Sequence, residues 1–454
     1  MGEKNSIEKD KVHTLRGYFL YSLGAVPSAL PYNMIGTFFV FFYTVYAGLS
    51  LELTGLVLIL YGIWNAVNDP LLGYYMDKKV TKWGRRIPYI LVGTIPFTIG
   101  FIFLWYVPWT EEIFIFMHAL LMLFLFDFGF TLAVTSWAAL YTEMYESEEE
   151  RATTVAIKDT IAFISSLSGI LFPPLIASFI GWQFTGVIIG IFIPITMYLS
   201  LLGTKERPEY QIDEPLPMVT AFKEAINNKP FLIITLTYTM IDFCFGLTLL
   251  ALPLYANFVL NLDESLVGFG AAGIALGILL SVPFWKWIYA KKGPKYGLML
   301  GMLIFALGIW PVIFINNFVV LIVITIIPGF GAGGMLMTEP AISTAIDFDE
   351  LRIGTRREAT YTGILTLIAR LSIVFSGITL ILVQLIFGFD SNAASQSMMA
   401  LFGLTILVSI IPLLGLILGI IIFSFFPINY EKFRVMQNDL KLKHELRLQE
   451  VKKS

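Results

Sequence analysis

The 454-residue chain holds one cysteine and three histidines, and only 14% of its residues are charged. A single thiol, Cys244, permits no internal disulfide and no thiolate metal cluster, and its apolar run marks it as a small buried hydrophobe. No His/Cys/Asp/Glu set has metal-ligand spacing, and no nucleophile elbow or phosphate loop is present, so the chain carries no enzyme signature and calls for no resident cofactor. The glycines Gly329, Gly331, Gly333 and Gly334 lie inside an apolar run with no following Lys-Ser/Thr, which reads as close helix contact and not as a nucleotide loop. The net charge of -3 is small, nucleic acid is not an expected partner, and the polar first fifteen residues are not a cleavable signal peptide.

What the chain has in abundance is apolar length. Hydrophobic residues make up 57% of it, more than a soluble core can bury, so lipid must serve as solvent. Apolar runs predict twelve transmembrane helices near 16–46, 51–76, 87–107, 112–142, 157–180, 183–202, 231–260, 265–290, 295–315, 318–346, 358–388 and 398–426. The termini and the even-numbered connections hold 29 of the 30 Lys and Arg residues, Arg370 being the other, which predicts that both termini are cytosolic. The expected organisation is an N-terminal six-helix half (1–202), a polar, Pro-containing cytosolic loop (203–230), a C-terminal six-helix half (231–426) and a charged tail (427–454). The loop's 218–226 part reads as a short amphipathic helix, and the tail as a solvated cytosolic helix. Leu53-Thr54-Gly55 and Leu266-Val267-Gly268 open corresponding helices of the two halves, a weak internal repeat of the kind found in secondary transporters.

Charge at membrane depth carries the functional signal. Tyr61, Asn65, Asn68 and Asp69 fall at i, i+4, i+7 and i+8 and share one helix face. Asp127 and Asp242 lie deep in their own runs, Glu339 lies just before a cytosolic acidic cluster, and Arg370 is the one cation far from a helix end. Ionised together, Asp69, Asp127 and Asp242 against Arg370 would leave a net negative charge in the membrane, which a bound cation or proton relieves. The alternative is a set of paired stabilising charges, for which Arg370 with Asp69 is the expected pair. His118 reads as a buried neutral histidine, and Trp137 as a residue able to stack on a substrate.

The stretch from Asn65 to Pro88, Ala139 to Met144 followed by Glu150-Arg151, and Ile346 to Glu350 followed by Gly354 to Glu358 together resemble the glycoside–pentoside–hexuronide:cation symporters, the melibiose-carrier branch of the major facilitator superfamily. The resemblance implies an all-α membrane protein of two six-helix halves that moves a sugar, glycoside or uronate together with H+ or Na+ by alternating access. It implies a cation and coupling site at Asp69, Asn65, Thr131 and Arg370. Asp127 and Asp242 have no counterpart in the family pattern and are candidates for a relocated polar site; with Tyr61, Trp137 and Asn68 they make up the substrate-cavity candidates. A cytosolic gate would comprise Asp77, Arg85, Arg86, Arg356 and Arg357. The chain departs from the family pattern at Asn65, Val26 and Val134, each of which replaces an aspartate, so proton coupling gains on sodium coupling and a lysolipid cargo is the first alternative. A non-transporting sensor signalling through residues 430–454 is the second. The expected setting is the plasma membrane, as a monomer.

Overall fold

The computed structural model describes residues 13–78, 84–145, 147–206, 227–353, 358–390, 393 and 395–451, and among these every regular element is helical. The helices are α1 (Leu15–Ser22), α2 (Ala25–Val45), α3 (Leu51–Lys78), α4 (Ile87–Leu104), α5 (Glu112–Phe130), α6 (Ser136–Met144), α7 (Glu148–Leu171), α8 (Pro173–Ile180) and α9 (Trp182–Leu201). Then follow α10 (Lys229–Leu254), α11 (Ala272–Ile309), α12 (Phe318–Met335), α13 (Thr338–Ile353), α14 (Glu358–Ala369), α15 (Leu371–Phe387), α16 (Met398–Val408), α17 (Ile410–Ser424) and α18 (Tyr430–Val451). Eleven of the resulting spans are long and apolar enough to cross a membrane. One of them, Glu264–Phe314, has 51 residues and is interrupted inside α11 by Gly293, whose φ of 78° is outside helical space.

The described residues form two compact units, one made by α1 to α9 with the Asp263–Gly268 turn, the other by α10 to α18. In the first unit, small residues bring helices together. A Cβ on Gly129 of α5 would lie 2.2 Å from the Phe97 backbone nitrogen of α4, and one on Gly100 of α4 would lie 2.4 Å from that of Phe126. Only glycine permits this approach, which seats α5 against α4 and fixes which face of α5 is left for α3. An aromatic core closes the opposite end, where Trp105 stacks on Trp182 with centroids 5.3 Å apart and Phe42 packs on both. Trp137 packs in a separate aromatic group around Tyr21 and Tyr145: it is 4% exposed, stacks on Tyr21 at 5.0 Å and donates its indole N–H to the Tyr21 carbonyl. His118 is half-buried, its Nε2 lying 2.8 Å from the Phe103 carbonyl oxygen, so it is a satisfied surface residue where a fully buried one was expected.

In the second unit α11 and α12 meet through glycines, as the Gly329 to Gly334 spacing suggested: a Cβ on Gly329 would lie 2.2 Å from the Ile274 carbonyl oxygen, and one on Gly331 2.3 Å from the Phe305 nitrogen. Cys244 is fully buried in α10, against Gly415 of α17. The tail departs from the solvated helix expected of it. Met436 and Leu440 of α18 are buried, Phe433 faces the Tyr289 ring, and Gln437 donates a 3.0 Å hydrogen bond to Asp347 of α13. Its three apolar residues are spaced closely enough to make one stripe, and α11 around Tyr289 and α13 around Asp347 lie against it.

Candidate functional site

α3, α5 and the π turn that follows α5 bring six polar side chains of the first unit into a single hydrogen-bonded cluster. Asn65 Nδ2 donates to Asp127 Oδ1 at 2.5 Å and to the Tyr61 hydroxyl at 3.2 Å. Tyr61 in turn donates to Asp127 Oδ1 at 3.4 Å. Asn68 Nδ2 reaches Asp127 Oδ2 at 3.0 Å and the Thr131 hydroxyl oxygen at 3.2 Å, and Thr131 Oγ1 donates to Asp69 Oδ1 at 2.7 Å. Asp127, Asn65, Asn68 and Thr131 are at most 5% exposed, while Asp69 is half-buried at the edge of the cluster.

The local backbone shows why the spacing works. Tyr61, Asn65, Asn68 and Asp69 recur at helical period on α3, and Asp127 near the end of α5 and Thr131 just past it stand four apart, so two polar stripes meet. At Thr131 the α-helix opens into a five-residue π turn, Thr131–Thr135, before resuming as α6. Such turns re-aim side chains within a helix and concentrate at functional sites.

Chemically, the cluster contains two carboxylates. Asp127 accepts hydrogen bonds from three neutral donors, Tyr61, Asn65 and Asn68. Asp69 connects to it through Thr131 and then Asn68. Val134, where the resemblance implies an aspartate, is 7% exposed and apolar, and Asp127 stands about two turns earlier.

The second unit holds Arg370 and Asp242. Arg370 interrupts the path between α14 and α15, standing between the two helices as a turn residue. Asp242 on α10 is solvent-accessible, accepts a 2.5 Å hydrogen bond from Ser372 Oγ and lies within electrostatic range of Arg370. Within its own unit, then, Arg370 stands within electrostatic range of Asp242, a proximity that sequence spacing did not suggest.

At the basic connection after α3, Arg85 forms a 2.7 Å ion pair with Glu143 of α6, both side chains being about a tenth exposed. The Glu206 carboxylate accepts the backbone N–H groups of Arg85, Arg86 and Ile87 at 2.5 to 2.6 Å, capping α4 at its positive end. Sequence reading missed both partners. Glu143 was in view as the acid of the Ala139–Met144 motif, whereas Glu206, five residues beyond α9, carries no spacing signal. Arg356 and Arg357, and the side chain of Asp77, lie outside the described residues, as does the 218–226 segment.

Known proteins agree with this architecture. A family model described as MFS/sugar transport protein matches residues 20–430. Among curated proteins, the chain is 25% identical to the uncharacterized symporter YnaJ of Bacillus subtilis, covering 95% of this chain and 96% of that one. It is 23% identical to an isoprimeverose transporter of Lactiplantibacillus pentosus, over 94% of this chain and 91% of the relative. It is also 23% identical to the sodium-dependent lysophosphatidylcholine symporter 1 of Gallus gallus, over 91% and 87%. Among solved structures, an inward-facing bacterial homologue of the human lysosomal transporter Spinster superposes with a TM-score of 0.64 at 16% identity, over 97% of this chain and 99% of that one, a likeness of fold alone. With a family match across nine-tenths of its length, a matching fold and eleven membrane-capable spans, this chain is a multi-pass membrane protein of the MFS/sugar transport family, a transporter and not an enzyme.

Proposed function

We propose that the protein is a cation-coupled symporter of a small polar solute, a sugar, glycoside or uronate, driven by H+ or Na+ and working by alternating access of two six-helix halves. The observation that carries this reading is the buried chain Asp69–Thr131–Asn68–Asp127, an acidic and oxygen-rich group placed where charge is costly unless it is used. Asp69, at the accessible edge, binds the coupling ion; Thr131 and Asn65 supply neutral oxygens. Ion binding offsets the negative charge of the cluster and raises solute affinity, a reciprocal linkage between the two sites. Arg370 and Asp242, at an interrupted helix, form the polar counterpart that contacts the solute and reports ion occupancy.

The 51-residue span spends about 76 Å of helix, more than twice a bilayer core, so it crosses twice and turns at Gly293, giving twelve crossings. The excess of Lys and Arg places both termini in the cytosol of a plasma-membrane protein that works as a monomer. Arg85, Arg86, Asp77, Arg356 and Arg357 form the cytosolic gate.

A lysolipid cargo is the second reading. It is favoured by the named lysophosphatidylcholine symporter among the relatives and by the apolar Val134 and half-buried Val26 where the sugar carriers hold aspartates. Uptake into proteoliposomes of a panel of sugars, uronates and lysolipids, each under separate sodium and proton gradients, decides between them. Accumulation of a sugar that requires one gradient and is lost in Asp69→Asn supports the first reading. Lysolipid uptake with no sugar flux selects the second, and accumulation unchanged in Asp69→Asn overturns the site.

A further inference from the structure

A buried amide that makes good use of one end and none of the other identifies what the α3–α5 cluster is built to hold. Asn65 is 1% exposed, and its Nδ2 is committed to Asp127 and Tyr61. Its Oδ1 is buried with no hydrogen-bond partner among the described residues. Buried acceptors are seldom left unsatisfied unless a ligand completes them. The neutral donors around this oxygen are already committed: Tyr61 and Asn68 donate to the Asp127 carboxylate, and the Thr131 hydroxyl donates to Asp69. A small hard cation does satisfy it, since such ions take carboxylate, amide and hydroxyl oxygens together.

We propose that Asp127 is the second anionic ligand of a sodium site shared with Asp69, and that Asn65 both positions Asp127 and contributes Oδ1 as a neutral ligand. This deepens the site of the proposed symporter and rests on that reading. It reverses the inference drawn from Asn65 in the sequence. The asparagine does not remove a carboxylate from the site; the carboxylate has moved across the helix gap to Asp127, and the amide holds it there at 2.5 Å. An aspartate at 65 would set two like charges at that distance.

The adjacent side chain provides a readout that needs no solute. Trp64 of α3 stacks on Phe124 of α5, centroids 4.7 Å apart and planes at 13°, so an ion drawing the two helices together changes its emission. The full-length protein in nanodiscs is titrated with sodium against choline at constant ionic strength, and separately with acid, following tryptophan fluorescence, with Trp64→Phe identifying the signal. The wild type is expected to respond saturably to sodium. Asp127→Asn and Asn65→Asp are each expected to weaken sodium by about thirtyfold or more, as loss or repulsion of a buried charged partner does. The exchange N65D/D127N, which keeps one acid and one amide, is expected to recover sodium binding to within about threefold.

Wild-type-like sodium binding in Asp127→Asn, or a folded exchange variant that does not recover, overturns the proposal, as does a response to acid with none to sodium. If Asp127→Asn does not fold, the exchange variant decides. Failure of the underlying site is distinguishable: there, Asp69→Asn binds sodium as well as the wild type, whereas failure of this inference alone leaves Asp69→Asn inactive and Asp127→Asn unaffected.

Discussion

Thr131 stands between the two carboxylates in the hydrogen-bond chain, donating to Asp69 while accepting from Asn68, which in turn donates to Asp127. Thr131→Val keeps shape and removes both bonds. Leaving those groups unmatched is expected to weaken cation binding by about 1–3 kcal/mol, roughly ten- to a hundredfold, with little change in fold, checked by cation titration beside a thermal melt. Arg85 presents the opposite case, since its role is structural first. Arg85→Ala leaves Glu143 buried without its cation and is expected to cost about 3 kcal/mol of stability, whereas Arg85→Lys keeps part of it; melting temperatures in a fixed detergent measure the difference. At this scale the sequence showed which residue types mattered, because Tyr61, Asn65, Asn68 and Asp69 line one face by helical period alone. It could not show that Asn65 serves Asp127, because spacing along α3 says nothing about which face of α5 it meets.

Between elements, glycines decide that meeting. Gly100 and Gly129 let α4 and α5 approach to backbone contact, and α5 reaches the π turn at Thr131 from a seat they define. Gly129→Leu forces the two backbones apart. We expect about 1–3 kcal/mol of destabilisation together with loss of cation response, although the residue touches no member of the cluster; a thermal melt and the tryptophan titration report the two effects separately. The tail is the element that sequence reading misjudged. Its charge density suggested a solvated helix, but Met436 and Leu440 find an apolar surface made by segments far away in the chain, which no local pattern displays. Leu440→Asp is expected to release α18 and make the tail several-fold more sensitive to brief trypsin digestion, while Asp439→Leu, on the exposed side, leaves digestion unchanged.

For the whole molecule, the distribution of Lys and Arg and the length of the apolar runs were enough to anticipate a helical membrane transporter, since bilayer thickness and the cost of moving charge across it constrain a chain more tightly than packing does. The break at Gly293 was also foreshadowed by Lys291 to Lys295, whose charge cannot lie within the hydrocarbon. Side-chain partners across helices were not legible, and Glu206, Glu143 and the Arg370–Asp242 association all belong to that class. Deleting residues 430–454 separates transport from signalling. Flux is expected to survive with a melting temperature lower by a few degrees, and loss of all function with intact solute binding would favour the sensor.

The single thiol, sealed in α10 against Gly415, has a practical consequence for following the transport cycle. Because Cys244 is hidden from aqueous maleimides in the folded protein, a pair of cysteines introduced elsewhere can carry spin labels or fluorophores on an otherwise native background. The same sulfur becomes reactive when the second unit unfolds, so one chain supplies both a silent canvas for distance measurements and an internal alarm for denaturation.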